Sequence, residues 1–288
     1  MDPDEREELF EQAVNLAADR RTWSDADRLW TRVVSAYEAA IDTSAKVDRN
    51  DERQVARALW RHASLLSMLG RADEAVDRGR KAVTWFTRIH DAVNAEHADP
   101  KTGRRDEALG ELLTAMADLA GFEFTAGRHA ARLDLLRQAA ESGIAEAANP
   151  LTAGPHTKRA MGFVYHHYAA ALLESGGDRD DLVQASLMAS LAVEIRQGDL
   201  DAAKLDTAWE LASTYVVFAR CLVAMDDRPR LDMLVPLAEN LMDFLGPSAA
   251  DLREELRVVT APEAIPELPD ILPQRLAAHP PRRRWWRR

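Results

Sequence analysis

Five times along this chain a turn-forming position is flanked by alanine seven residues before it and twelve residues after it. The sets are Ala17/Ser24/Ala36, Ala63/Gly70/Ala82, Ala120/Gly127/Ala139, Ala170/Gly177/Ala189 and Ala219/Asp226/Ala238. Alanine fills 50 of 288 positions, so scattered hits arise by chance, but ten hits in ten positions describe a repeat. A small side chain on each arm of a helix hairpin lets the two backbones approach closely. The pattern therefore predicts stacked helix pairs. Sparse β-branched residues and the lack of any sustained polar/apolar alternation argue against a sheet.

Start and stop signals place the helices. Asp2-Pro3 reads as an N-cap and first-turn pair. Ser24-Asp25-Ala26-Asp27 reads as a capping box before Leu29, Trp30, Val33, Val34 and Tyr37, which recur at helical spacing. A second pair runs from about Glu52 to Leu69 and from Ala72 to about Glu96, hinged at Gly70, and a third brackets Gly127. Pro150 and Pro155 break the chain. Two more pairs follow, Met161–Ser175 with Leu182–Ile195 and Thr207–Met225 with Leu231–Leu245. A last short helix opens at Pro247-Ser248, with Asp251 as capping-box partner, and ends before Pro262.

This arrangement resembles the tetratricopeptide repeat (TPR) family. Leu59, Trp60, Ala63, Gly70, Ala75 and Ala82 carry its small-Gly-small-small signature, with Leu66 at a position where an aromatic is usual. Successive turns lie 46, 57, 50 and 49 residues apart, against roughly 34 in the standard repeat. The resemblance covers roughly residues 5–245 and implies an all-α, TPR-like α-α superhelix of about five hairpins. With the short last helix the body spans residues 1–258, and a Pro-rich extended tail follows over 259–288. The resemblance also implies that the first helix of each pair lines a concave face. That expectation points to Trp60, Ser64 and Met68, to Ala117, Gly121 and Phe124, to His167 and Glu174, and to Val216, Arg220 and Val223. The Lys, Arg and Asn cluster with which some members clamp a carboxylate terminus is absent from these positions.

Charge and composition narrow the function. A net charge of −11 argues against broad attraction to nucleic acid or anionic membranes. The single cysteine, Cys221, precludes an internal disulfide. The start MDPDEREELFEQ lacks the pattern of a signal peptide, so a cytoplasmic location is expected. No apolar run approaches the ~18 residues of a spanning helix. The sequence holds no phosphate loop, no nucleophile elbow and no HExxH or cysteine cluster, so neither enzyme activity nor a cofactor or metal is expected. His166 and His167 project about 100° apart, too divergent to share one ion easily, and His90 and His97 lie two turns apart. Cys221, in an apolar run, reads as a small hydrophobe.

The C-terminus is different in kind. Pro262, Pro266, Pro269, Pro273, Pro280 and Pro281 forbid regular helix and favour polyproline II, while Ile265, Leu268, Ile271 and Leu272 are more apolar than a free linker needs. The last seven residues, with Arg284, Trp285 and Trp286 at their centre, carry five arginines and no acid. The remaining chain holds 32 basic against 48 acidic side chains, a net of −16. That asymmetry points to self-recognition, as tail docking in cis or as self-association, or to an anionic partner. The reading is a scaffold or regulatory adaptor that binds a protein or peptide segment through Trp60, Ser64, Met68, Phe124, His167, Glu174, Val216 and Arg220, with its own tail as regulator. Two alternatives stay open: a small-molecule receptor or enzyme with an enclosed pocket at His166, His167 and Tyr168, and a nucleic-acid or membrane accessory protein acting through the Arg/Trp tip.

Overall fold

The computed structural model of the chain describes residues 1–43, 48–96, 103–147, 149–201 and 204–261. Among the described residues there are eleven α-helices and no strand: α1 Pro3–Ala17, α2 Trp23–Thr43, α3 Arg49–Met68, α4 Ala72–Glu96, α5 Gly103–Thr125, α6 His129–Ala147, α7 Pro155–Glu174, α8 Arg179–Gly198, α9 Leu205–Ala224, α10 Arg228–Leu245 and α11 Ala250–Thr260. The fold is all-α, with the five hairpins that the alanine repeat predicts and the short last helix expected after Pro247-Ser248. Helix α11 continues through Thr260, two residues past the expected body boundary at 258.

The chain reverses through one local motif used three times. At Gly70, Gly127 and Asp226 φ is 76°, 75° and 56°. The following N–H groups of Arg71, Arg128 and Asp227 donate to the carbonyls of Leu66, Glu123 and Leu222 at 2.8–2.9 Å, which satisfies carbonyls that the helix end leaves without partners. Asp227 then caps α10 by accepting from Arg230 N. The fourth hairpin departs from this pattern. Its left-handed residue is Gly176, not Gly177, and four residues separate α7 from α8 where the other three turns have three. Counted from α8, Gly177 keeps the repeat position; counted from α7, Gly176 does. Ala169, fully buried, therefore takes the place expected for Ala170.

The first hairpin also turns differently. Asp2 forms a reciprocal capping box with Glu5 at the start of α1, as the Asp-Pro pair predicts. The Ser24 capping box does not form. Asp19 instead accepts from Arg21 N at the start of a 3₁₀ turn over Arg20–Thr22, so α2 already begins at Trp23. Thr22 Oγ1 and Trp23 Nε1 donate to the Leu16 and Ala17 carbonyls, doing with side chains what the other turns do with backbone. The Pro247-Ser248 signal opens a 3₁₀ turn, and Ser248 Oγ donates back to Leu245 O rather than capping α11. Pro155 stands in the first turn of α7, where a missing N–H costs nothing.

The described residues divide into two compact units where the sequence predicts one body. One contains α1–α4 with Asp118–Arg132; the other contains α5 through Ala117 and the chain from Leu133 through α11. In the first, α1 packs on α2, α2 on α3 and α3 on α4, around Trp30, Leu59 and Phe86. In the second, α7 packs on α8, while α9 contacts α7, α8, α10 and α11, around Met161, Tyr165, Ile195 and Leu211. Nine of the ten repeat alanines are buried, and Ala36 is half-buried. Several helix contacts have no room for a side chain where glycine stands. A Cβ on Gly79 would stand 3.0 Å from Leu119 and Phe122, one on Gly162 would stand 2.9 Å from Ile195, and one on Gly110 would stand 2.8 Å from the backbone of His156.

A ladder of ion pairs repeats through the first unit. Arg71, one residue past Gly70, reaches back to Asp27 at 2.6 Å; Arg128, one residue past Gly127, reaches back to Asp73 at 2.5 Å. Asp27 and Asp73 each lie three residues past their own repeat origin, so successive hairpins are joined at equivalent positions. Glu123, almost fully buried, takes both Arg128 and Arg80, and buried Glu52 takes Arg88. Asp27 also accepts from buried His62 at 2.7 Å. Burial opposes ionisation of Asp27, but its bonds to His62 and Arg71 hold the carboxyl below the usual range.

Candidate functional site

In the first unit α3 presents Trp60, Ser64 and Met68 at four-residue steps along one side, all half-buried. The Trp60 indole is fixed from two directions. Its ring meets the edge of buried Phe86 at 6.4 Å, and Nε1 donates to Asp118 Oδ2 at 2.8 Å. Ser64 Oγ donates to the Trp60 carbonyl. On α5, half-buried Phe124 lies under the Arg132 guanidinium at 4.3 Å and against the His129 ring at 5.3 Å. Of the other α5 positions on the expected face, Ala117 is buried and Gly121 exposed.

Asp118 is the residue that the sequence reading passes over. It is the one acid in the apolar run from Leu112 to Phe122, and that isolation is the signal for it. Burial pushes its carboxyl up to about 7, against the opposing pull of the Trp60 N–H.

In the second unit the expected residues separate. His167 is half-buried, edge-on to Phe163 at 4.3 Å, and Glu174 is half-buried in the last turn of α7. Val216 belongs instead to the core that α9 shares with α10 and α11, together with Leu252 and Leu256, and half-buried Val223 packs against that core. Arg220 is buried and faces Glu255 of α11 at 4.0 Å. The reason is α11, which folds back onto α9 and covers the side that the resemblance assigns to a ligand. Val216 and Arg220 are thus removed from the candidate face.

The alternative site at His166, His167 and Tyr168 is built on α7 facing α8 and α9. His166 Nδ1 lies 3.3 Å from Thr214 Oγ1 on α9, in a network where buried Arg196 donates to Glu210 O at 2.7 Å. Tyr168 is buried on another side of α7, its hydroxyl accepting from Gln184 Nε2 of α8. The His166 and His167 rings meet edge to face at 4.9 Å, while Tyr168 faces α8. His90 is buried, 3.0 Å from the Asn94 amide, and His97 lies outside the described residues. Among the described residues no group of three or more His, Cys, Asp or Glu is arranged to hold a metal ion. Cys221 is fully buried, and desolvation pushes its thiol up to about 12. Among the described residues no helix is long and apolar enough to cross a membrane. The tail residues Ile265, Leu268, Ile271, Leu272, Arg284, Trp285 and Trp286 lie outside the described residues.

No family model matches the sequence, and no curated protein matches it. Solved structures do. The crystal structure of BtubC (BKLC) from P. vanneervenii superposes with a TM-score of 0.51 at 16% identity, over 85% of this chain and 91% of that one. A Podosopora anserina chain described as a kinesin light chain, with nearly identical TPR-like repeats, gives 0.50 at 17% identity, over 85% of this chain and 99% of that one. A variant of the same Podosopora repeats gives 0.51 at 18% identity, over 88% and 99%. At such identities the likeness is one of fold, and that fold is a TPR-like helical repeat.

Proposed function

We propose that the chain is a protein-interaction scaffold, with a folded body ending at α11 and a regulatory tail beyond it. It takes a partner segment against Trp60, Ser64 and Met68 of α3 and Phe124 of α5. His167 and Glu174 form a second, separate contact on α7. The observation that carries the reading is the fixed orientation of Trp60. An indole held by Phe86 and Asp118 but still half exposed offers a large apolar contact with little ordering entropy left to lose. The TPR-like fold supports it, since stacked hairpins of this kind serve generally as protein-binding scaffolds.

Trp60 also packs in the core, so the test uses its neighbours. Partners captured from the native host by the intact protein are rebound to Met68→Glu and Ser64→Arg variants, at half-buried positions beside the indole. The expected result is a loss of at least tenfold in affinity with an unchanged helical signal. Partner binding that also slows amide exchange at residues 57–68 supports the assignment. Unchanged affinity in both variants overturns it.

A further inference from the structure

Helix α10 has two apolar faces, and the described fold uses one of them. Leu231, Leu234, Ala238, Met242 and Leu245 are buried against α9 and α11. At 100° per residue, Met233, Leu237 and Phe244 fall within about 40° of one another on a different side, with half-buried Leu241 at its margin. They are 65%, 50% and 54% exposed. The outer side of α4, the corresponding second helix of its hairpin, shows what such a surface ordinarily carries: Asp77, Arg80, Lys81, Thr84, Thr87, Arg88 and Asp91. An apolar stripe of this length on a solvent face marks a contact surface.

We propose that residues 262–273 of this chain are its occupant, bound in cis along the α10 stripe. Connectivity comes first. Arg253 in the first turn of α11 donates to Met242 O and pairs with Asp243, so α11 is fastened to the end of α10, and the chain leaves α11 at Ala261 with 27 residues still to come. At ~3.1 Å per residue in polyproline II, those residues reach several times the ~27 Å length of an 18-residue helix.

Spacing is the second argument. Ile265, Leu268 and Ile271 recur every three residues, one turn of polyproline II, so the conformation that Pro262, Pro266, Pro269 and Pro273 favour sets all three on one edge over ~19 Å. Met233 to Phe244 spans ~17 Å of α-helix. Charge is the third. Within 262–273 the acids Glu263, Glu267 and Asp270 fall off the Ile265/Leu268/Ile271 edge at three residues per turn. The five arginines come later, at 282–288, where they can pair with exposed Asp232 and Glu239 on another side of α10. The inference deepens the tail component of the scaffold reading by giving the regulator a seat on α10.

The test places a photo-crosslinking phenylalanine analogue at position 268 of the full-length chain. The expected product has the mass of one chain, joins the tail to a peptide within 228–245, and falls at least fivefold in yield in Met233→Glu/Leu237→Glu, whose sites are exposed enough to tolerate the change. A two-chain product, which would mean exchange between copies, overturns the proposal. So does an adduct elsewhere, or no adduct. Partner affinity at Met68 is measured separately, so failure here is distinguishable from failure of the scaffold assignment.

Discussion

Single side chains in this protein show where burial works against charge and where a missing atom is part of the packing. Asp118 has a folded pKa raised to about 7, above its unfolded value of ~3.8. Its contribution is therefore fully present below pH ~3.8 and is lost as pH rises through 7. Asp118→Asn keeps an acceptor for the Trp60 N–H and removes the ionisation. We expect the variant to exceed the parent in unfolding free energy by at least ~1 kcal/mol at pH 8, with the gain fading toward pH 4 in parallel denaturant titrations. The glycines of α5 give a paired contrast. Gly110→Ala drives a Cβ into the His156 backbone, which cannot swing away, and should cost about 1–3 kcal/mol. Gly121→Ala meets nothing within 4 Å and should gain about 0.5–1 kcal/mol from helix propensity. Thermal melts of the two variants should move in opposite directions.

Helices and turns were the most legible level of the sequence, because each hairpin carries its own stop signal and its own amphipathic period. The limits of that legibility are local. Counting alanines from Gly177 credited Ala170, whereas the extra residue between α7 and α8 moves the first-helix position to Ala169. Overpacking should follow the structure: Ala169→Leu is expected to lower stability by about 1–3 kcal/mol and Ala170→Leu by clearly less, read from equilibrium unfolding. The Ser24 capping box looked sound by composition but lost to Asp19, which starts a turn that side chains from Thr22 and Trp23 complete. The candidate face was legible on α3, where family resemblance and helical spacing agree. It was not legible on α9, because nothing in the Val216 neighbourhood announces that a helix 35 residues later folds over it. Asp118 escaped because a lone acid in an apolar run has meaning only once Trp60 is known to face it.

At the scale of the molecule, the two units are built from the same hairpin but are fastened differently. The Arg-to-Asp ladder at Arg71 and Arg128 joins the first three hairpins at repeat-equivalent positions. Hairpins four and five carry Asp178 and Asp227 at the positions of those arginines. Arg128→Ala removes the Asp73 pair and one of the two partners of buried Glu123, and should destabilise the first unit by about 1–2 kcal/mol, less than a buried charge left wholly alone. Calorimetry in low and high salt should show that loss shrinking as salt screens the exposed Asp73 arm. Because the folded pKa of Asp27 lies below its unfolded value, its rung persists above pH ~3.8 and is lost only as pH falls through the folded value. The widened turn between α7 and α8 has a practical consequence. Ser175, Gly176, Gly177 and Asp178 are all exposed, and the fold has already absorbed one additional residue there. That turn is the place to thread a reporter, an affinity epitope or a cleavable linker through the body, leaving both chain ends native for experiments on the tail.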